Sequence, residues 1–578
     1  MSNEIQSNSD QVKSFNKVLI ANRGAIAVRI MRTLKRMGIL SIAVYSESDA
    51  DSLHVKFADE SYSLGEGAAA DTYLNVEKLF AIAKQSQAEA IHPGYGFLSE
   101  NADFVRACEV NNIVFVGPTP VQIEDFGLKH KARDLAVAAN VPLLPGSDLL
   151  SSKEQATIEA LRVGYPVMLK STAGGGGIGM QLCYDETEML QAFDSVKRLG
   201  ANNFANDGIF LEKFIGKARH IEVQIFGDGQ GNALALGERD CSSQRRNQKV
   251  VEECPAPNLN EATRKKLQQT AEQLSASISY RNAGTVEFIL DADTQEFYFL
   301  EVNTRLQVEH GVTEEVYGID LVEWMLQLAA GNDMALADKR AKLSAIGHSI
   351  QVRVYAEDPF HNFQPCAGLL TQVEFPQGEG VRIDHWISPG LEVSPYFDPM
   401  LAKVIVHAET RDLALTKLQN VLADCRLYGS ETNLVYLRTL VADSVLAKGE
   451  VTTRYLDSFS FSPARIDVLQ GGTQTTIQDY PARRGYWDVG VPPSGPFDSY
   501  SFQLGNSLLQ NDPVMAGLEI TMQGPTLQFH TDSQIVLCGA EIEASLDNQE
   551  LSLWQIIDVK AGQTLKLGRV AKQGVRSY

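Results

Sequence analysis

The chain has 578 residues, more than one hydrophobic core accommodates, so three or four folded units are expected. Its formal net charge of −21 argues against nucleic acid as a partner, while a local basic pocket for phosphates stays compatible with it. No apolar run is long enough to span a bilayer, and the seven cysteines are scattered with no CxxC pair; this argues against a disulfide framework or a thiolate metal site and fits a reducing cytoplasm.

Met1 to Asn16 (1–16) is polar, without an apolar core or cleavage pattern, and reads as a disordered tail. Lys17 to Ala21 is a short buried strand, and Ala25 to Met37 follows with apolar residues at 26, 30 and 34, a helical spacing. Ser41 to Tyr45 is the next strand, so the chain opens as a βαβ unit of a parallel, doubly wound sheet. The intervening loop has one glycine rather than GxGxxG, so a dinucleotide site is not supported. Ala90 to Phe97 is a second strand-to-loop junction. A small α+β segment centred on a glycine run occupies about 141–215, strands, a hairpin and a helix follow to Gly331, and a further α+β region runs to Phe459. Ser460 to Ala464 is a linker. From Ile466 on, short strands and Gly/Pro turns predict a β-rich domain, and its stop at Tyr578 is expected to leave that domain incomplete.

Four stretches carry chemistry. Val167 to Gly179 delivers Lys170 from a strand into a glycine run whose bare amides can approach phosphate oxygens; a flexible turn is the competing reading. Glu238 to Lys249 is dense in cations and amides, suited to an anion, or else a solvated basic loop. Gly284 to Leu290 and Phe297 to Asn303 flank a polar turn and form a hairpin; a turn centred near 294 sets Glu287 opposite Glu301. Two facing carboxylates repel unless a cation lies between them, so with Asn303 they suit Mg²⁺; exposed strand glutamates are the alternative. Asn303, Arg305, Gln307 and Glu309 share one face if the segment stays extended, which offers a fork for bicarbonate and a general base, against the alternative of an ion-paired strand edge. His310 reads as a packing or capping residue rather than a ligand.

The stretches IANRGAIAVRI (20–30), IHPGYGFLSEN (91–101), the glycine run, RDCSSQRRNQKVVEE (239–253), GTVEF (284–288), FLEVNTRLQVEHGVTE (299–314) and RVYAEDP (353–359) resemble, in family order, the biotin carboxylase family of the ATP-grasp fold. The resemblance implies α/β and α+β architecture: a doubly wound N-terminal domain (17–130), an ATP-grasp domain (131–345) with a lid at about 141–215, and a C-terminal α+β domain (346–459). It implies that Lys129 and Lys170 contact ATP phosphates under a lid loop containing Gly175, Gly176 and Gly177. Glu212, Lys213, Phe214 and Ile215 form an adenine hinge, and His220, Gln244 and Asn247 line the nucleotide pocket. Glu287, Glu301 and Asn303 hold two Mg²⁺ or Mn²⁺ ions. Lys249, Arg305, Gln307 and Val308 grip bicarbonate, Glu309 deprotonates it, and Arg353 stabilises the enolate of biotin. Bicarbonate then attacks the γ-phosphate of ATP, carboxyphosphate collapses to CO₂ and phosphate, and N1′-carboxybiotin forms.

Ala25 replaces the family's usual Glu, which puts an ion pair between carboxylase subunits in doubt. Ile178, Asn247 and Gly311 depart toward urea carboxylases. Ile477 to Asp498 and Ala516 to Pro525, within a partial domain over 466–578, look like the carboxyltransferase domain of urea carboxylase. No AMKM-like biotinylation site is present, so biotin is expected on a carrier domain outside this chain, and a fragment of a longer polypeptide is the favoured explanation. The implied function is the first half-reaction of urea carboxylation, with urea or guanidine as acceptor. A biotin carboxylase for an acyl-CoA enzyme is disfavoured by 466–578, and an inactive regulatory fragment by the intact Lys249, Glu287, Glu301, Arg305 and Glu309. Self-association is left open.

Overall fold

The computed structural model describes residues 14–171, 180–204, 208–462, 464–571 and 573–578 (for 129–130 and 199–204, the backbone alone). Residues 1–13 of the tail expected over 1–16, Gly175, Gly176, Gly177 and Ile178, and the side chain of Lys129 therefore lie outside the described residues. The chain divides into two units at Phe459 and Ser460, beside the anticipated linker.

The first unit opens with β1 (Lys17–Ile20), α1 (Gly24–Met37), β2 (Leu40–Ser46), β3 (Glu60–Gly65), β4 (Ala90–His92) and β5 (Val114–Phe115). The strands form a five-stranded sheet in the order β3-β2-β1-β4-β5, every pair parallel. β1 is apolar on both faces because both are covered: Val18 and Ile20 pack with Ile26, Ile30 and Leu34 of α1, while Leu19 packs with Leu79 and Phe104 opposite. Strand order reverses between β1 and β4. There Asn22 ties the two exit loops together, donating to the Pro93 and Tyr95 carbonyls at 2.7 and 2.8 Å.

β6 (Val167–Ser171), β7 (Met180–Cys183) and β8 (Ile209–Lys213) form a separate three-stranded sheet, with α2 (Glu186–Phe204) packed on it through Met189, Phe193 and Val196.

The largest sheet of the described residues has eight strands. Its strands are β9 (Ala218–Asp228), β10 (Ala233–Arg245), β11 (Gln248–Cys254), β12 (Arg281–Asp291), β13 (Phe297–Asn303), β14 (His348–Tyr355), β15 (Val381–His385) and β16 (Met400–Ala408). They lie in the order β13-β12-β9-β10-β11-β14-β16-β15. One continuous sheet thus crosses the boundary expected at 345/346. On one face Ile221, Val223, Ile225, Val286 and Phe288 pack against Leu267, Ala271 and Leu274 of α3 (Glu261–Ser277). Strand alternation puts His220, Glu222, Gln224, Thr285 and Glu287 on the other face. α4 (His310–Tyr317) and α5 (Leu321–Ala329) follow β13.

The second unit is β-rich, as expected, with a five-stranded sheet whose strands include Thr526–Phe529 and Thr564–Val570, a three-stranded sheet and a two-stranded one. Leu527, Phe529, Ile542, Val559, Leu565 and Leu567 form its core. It also contains a helix that the turn-rich sequence did not suggest, Ser499–Leu508, started by the Asp498 carboxylate accepting from the Ser501 amide at 3.1 Å. Among the described residues, no helix is long and apolar enough to cross a membrane.

Candidate active site

The site begins with the register of four strands. Glu301 of β13 pairs with Glu287 of β12, Glu287 with Glu222 of β9, and Glu222 with Arg239 of β10. Residues directly opposite share a face, so three carboxylates and a guanidinium stand in one row. The Glu287–Glu301 pairing depends on a β-bulge. Pairing from Leu290 with Phe297 reaches Phe288 with Phe299 and, unbroken, would set Leu300 opposite Glu287; the ladder instead skips Leu300 and puts Glu301 there. A second row, Asn303–Thr285–Gln224, runs alongside.

Adjacent carboxylates on one sheet face repel, and Glu287 and Glu222 are both buried. Lys249, on β11, resolves the conflict: its ammonium lies 2.5 Å from Glu222, 3.1 Å from Glu287 and 2.6 Å from Glu309. Arg239, fully buried, donates to Glu222 at 2.6 Å and to Gln224, Thr313 and Gln307 at 2.8–2.9 Å. Glu287 also ion-pairs with His220 at 2.8 Å and accepts from the amides of Asn303 at 2.8 Å and Gln307 at 2.7 Å. The side-chain amide nitrogen of Gln244 lies 2.8 Å from Nδ1 of His220. Beyond Glu309, Arg353 of β14 reaches its other oxygen at 3.1 Å and Glu252 at 2.5 Å.

These contacts set the charges. Burial works to raise the Glu287 carboxyl, but the Lys249 ammonium and His220 overcome it and hold it well below the usual range. Glu309 is likewise held down against its burial by Lys249, Arg353 and Arg239. Burial opposes the charge on Lys249, yet Glu222, Glu309 and Glu287 together push its pKa well above that of a free lysine. Glu252 is raised by burial and by the neighbouring Glu309 charge.

The segment after β13 differs from the extended strand expected for it. Regular pairing ends at Asn303, a bend and a turn follow, and Glu309 is already the N-cap of α4. The turn is fixed by His310, whose Nδ1 lies 2.7 Å from the Gln307 carbonyl, and by Lys403, which donates to the Val308 carbonyl at 3.0 Å. His310 is thus a packing residue, as expected. Gln307 and Glu309 still reach the cluster, through the turn rather than by strand parity. Arg305 instead donates to the Glu100 carboxylate at 2.9 Å and to the side-chain amide oxygen Oδ1 of Asn303 at 3.0 Å.

Other anticipated residues stand elsewhere. Lys170 and Glu212 pair with each other at 2.6 Å in the sheet of β6–β8. Lys213 donates to the Gly164 and Tyr165 carbonyls, and Phe214 and Ile215 follow in the connection to β9. Asn247 is exposed and, with Arg246, forms the two-residue tip between β10 and β11; both have positive φ, 63° and 51°, where asparagine is favoured. Glu301 is exposed, in contrast to Glu287.

Sequence reasoning missed Glu222, Arg239, Gln224, Glu252 and Glu100. A signal for the first existed: His220, Glu222 and Gln224 alternate with Ile221, Val223 and Ile225, a polar stripe along a strand otherwise apolar.

The oxygen donors fit a divalent cation. Glu287, Glu301 and the Asn303 amide lie on neighbouring positions of β12 and β13, and carboxylate and amide oxygens are the donors that Mg²⁺ prefers. His220, Glu222 and Glu287 also bring one ligand atom each within 4.8 Å of one another. Burial works to lower the His220 pKa, and Glu287 overcomes it and raises the pKa, so a proton competes with a cation for the ring.

Known proteins share this arrangement of domains. Residues 14–123 and 351–458 match the biotin carboxylase N-terminal and C-terminal domains, 129–337 the ATP-binding domain of the carbamoyl-phosphate synthase L chain, and 489–578 the carboxyltransferase domain, subdomains A and B. The urea amidolyase of Saccharomyces cerevisiae is 50% identical over 570 residues, which is 99% of this chain and 31% of that protein. The crystal structure of the Kluyveromyces lactis urea carboxylase superposes with a TM-score of 0.80 at 45% identity, covering 98% of this chain and 43% of that one. The chain therefore spans less than half the length of these relatives. The biotin carboxylase of Halalkalibacterium halodurans is matched nearly whole: 49% identity over 443 residues, 76% of this chain and 97% of that protein. With a complete carboxylase matched at that identity, the chain belongs to the biotin carboxylase family.

Proposed function

We propose that the chain catalyses the ATP-dependent carboxylation of biotin by bicarbonate, as the first half-reaction of a urea carboxylase. The observation that carries this reading is the convergence of Glu287, Lys249, Glu309 and Arg353 on one face of the central sheet, beside the oxygen donors Glu301 and Asn303. Glu287, Glu301 and Asn303 would hold two Mg²⁺ or Mn²⁺ ions, which neutralise phosphate charge when bound. Lys170 and the hinge Glu212–Ile215 would hold ATP, with His220 and Gln244 beside it; Lys129, Gly175, Gly176 and Gly177 are assigned with them by family likeness, and so is Asn247 despite its exposed place.

Lys249, Arg305, Gln307 and Val308 would bind bicarbonate, and Glu309 would take its proton. A carboxylate held as low as Glu309 is a weak base; a bicarbonate anion on Lys249 takes up part of the ammonium's field and returns basicity to Glu309. Arg353, positioned by Glu252, would face the ureido oxygen of biotin on a carrier domain. Urea is preferred to guanidine because the relatives matched over nearly the whole chain are named for urea. The same reading divides the first unit at 130 and 345, and the seven free cysteines, six of them buried, suit a cytoplasmic setting. The test is ATP hydrolysis by the purified chain: turnover should require bicarbonate and rise with free biotin. Absence of both dependences in a preparation that binds MgATP would refute it.

A further inference from the structure

β16 is apolar at Leu401, Ala402, Val404, Ile405 and Val406, all buried, yet it carries a lysine at its centre, and Lys403 is itself wholly buried. A buried ammonium is costly, so its contacts should account for it. One is Asp384, its register partner on β15, at 3.2 Å. That carboxylate does not depend on the lysine, since Arg382 at 3.0 Å and Arg32 at 2.8 Å already neutralise it. The other is the carbonyl of Val308, 3.0 Å away. On its opposite flank Lys403 pairs in register with Arg353 of β14, which holds the Glu309 carboxylate. Two adjacent strands therefore grip two consecutive residues of one turn.

We propose that Lys403 is a positioning residue for bicarbonate: by fixing the Val308 carbonyl, it sets the plane of the Val308–Glu309 peptide and so the place of the Glu309 amide and carboxylate beside an anion on Lys249. The physical basis is the rigidity of the peptide unit, in which the carbonyl of one residue and the amide of the next cannot turn separately. The inference rests on the reading of Lys249 and Glu309 given above. The charge is maintained at some expense: burial pulls the Lys403 pKa down to about 8 against the attraction of Asp384, and Arg382 and Arg29 add to the lowering. His310 faces it from α4 and is itself kept neutral by burial and by Lys403.

The test uses the full chain with Lys403→Met and Lys403→Gln in the bicarbonate- and biotin-dependent ATP hydrolysis assay, with hydrogen exchange of the 308–310 amides measured alongside. Lys403→Met should raise the KM for bicarbonate about tenfold or more, leave the KM for ATP within about twofold, and speed exchange in the turn. Lys403→Gln, which keeps an N–H donor, should show a smaller rise. Equal changes in both KM values, or no change in either, would overturn the proposal. Should the methionine variant not fold, the glutamine variant decides by the same split between bicarbonate and ATP. If the unaltered chain shows no bicarbonate-dependent turnover, the reading of the site fails, and the exchange rates alone decide: unchanged exchange overturns the positioning role.

Discussion

Glu309 shows how much one carboxylate depends on its neighbours. Three cations, Lys249, Arg353 and Arg239, keep it ionised in spite of its burial, and two of them touch it directly. Glu309→Gln keeps the shape and removes the proton acceptor, while Lys249 retains Glu222 and Glu287. We expect biotin-stimulated turnover to fall by about 10²- to 10⁴-fold, the usual span for a lost general base, with MgATP affinity nearly unchanged. A large loss of nucleotide affinity, measured by titration calorimetry, would make Glu309 structural. At this scale the sequence was informative where residues repeat at strand spacing. Glu287 and Glu301 do face each other as a turn centred near 294 would have them, although the ladder starts half a residue earlier and reaches that pairing only through the bulge at Leu300. Glu222 could not be tied to Lys249, because that contact joins strands whose order the sequence does not state.

At the scale of elements, the anticipated βαβ start and the hairpin were legible, since both are written in short-range periodicity. The bulge at Leu300 and the turn from Thr304 to Glu309 were not, because each is set by tertiary contacts: a parallel bridge from Leu143 to Phe299, and the bond from Lys403 to Val308. Two further buried groups are His54, in the short helix Leu53–Phe57, and His92, the last residue of β4. His54 and His92 are driven down by burial, to about 4 and about 3. Unfolded histidine titrates near the usual 6.5, so the unfolded chain binds more protons between that value and the folded one. Their stabilising contribution is therefore complete above pH 6.5 and is lost as pH falls toward 4 for His54 and toward 3 for His92. For His54 the shift from 6.5 to about 4 corresponds to about 3 kcal/mol. His54→Leu should flatten the stability profile between pH 6.5 and 4 in chemical denaturation. An unchanged acid slope would show that His54 is already protonated in the folded chain.

At the scale of the molecule, every described residue of the proposed carboxylation site lies before Phe459, where the first unit ends. The eight-stranded sheet explains why that unit resists finer division. β14, β15 and β16 belong to the C-terminal α+β region expected from the sequence, yet they complete the sheet that begins with β9–β13, and Arg353 and Lys403 act from them on a turn that follows β13. Cutting at 345 would remove half of the grip on Glu309 and leave Glu252 without its cation. Cutting after Phe459 removes no residue of the site, and an independent core remains in each piece. A chain ending at Phe459 should therefore fold and keep bicarbonate-dependent, biotin-stimulated ATP hydrolysis within about twofold of the full chain, as expected when a self-contained domain loses a neighbour. Steady-state kinetics on both chains decides it. A folded 1–459 chain without biotin stimulation would overturn the assignment of the carboxylation site to residues of the first unit alone.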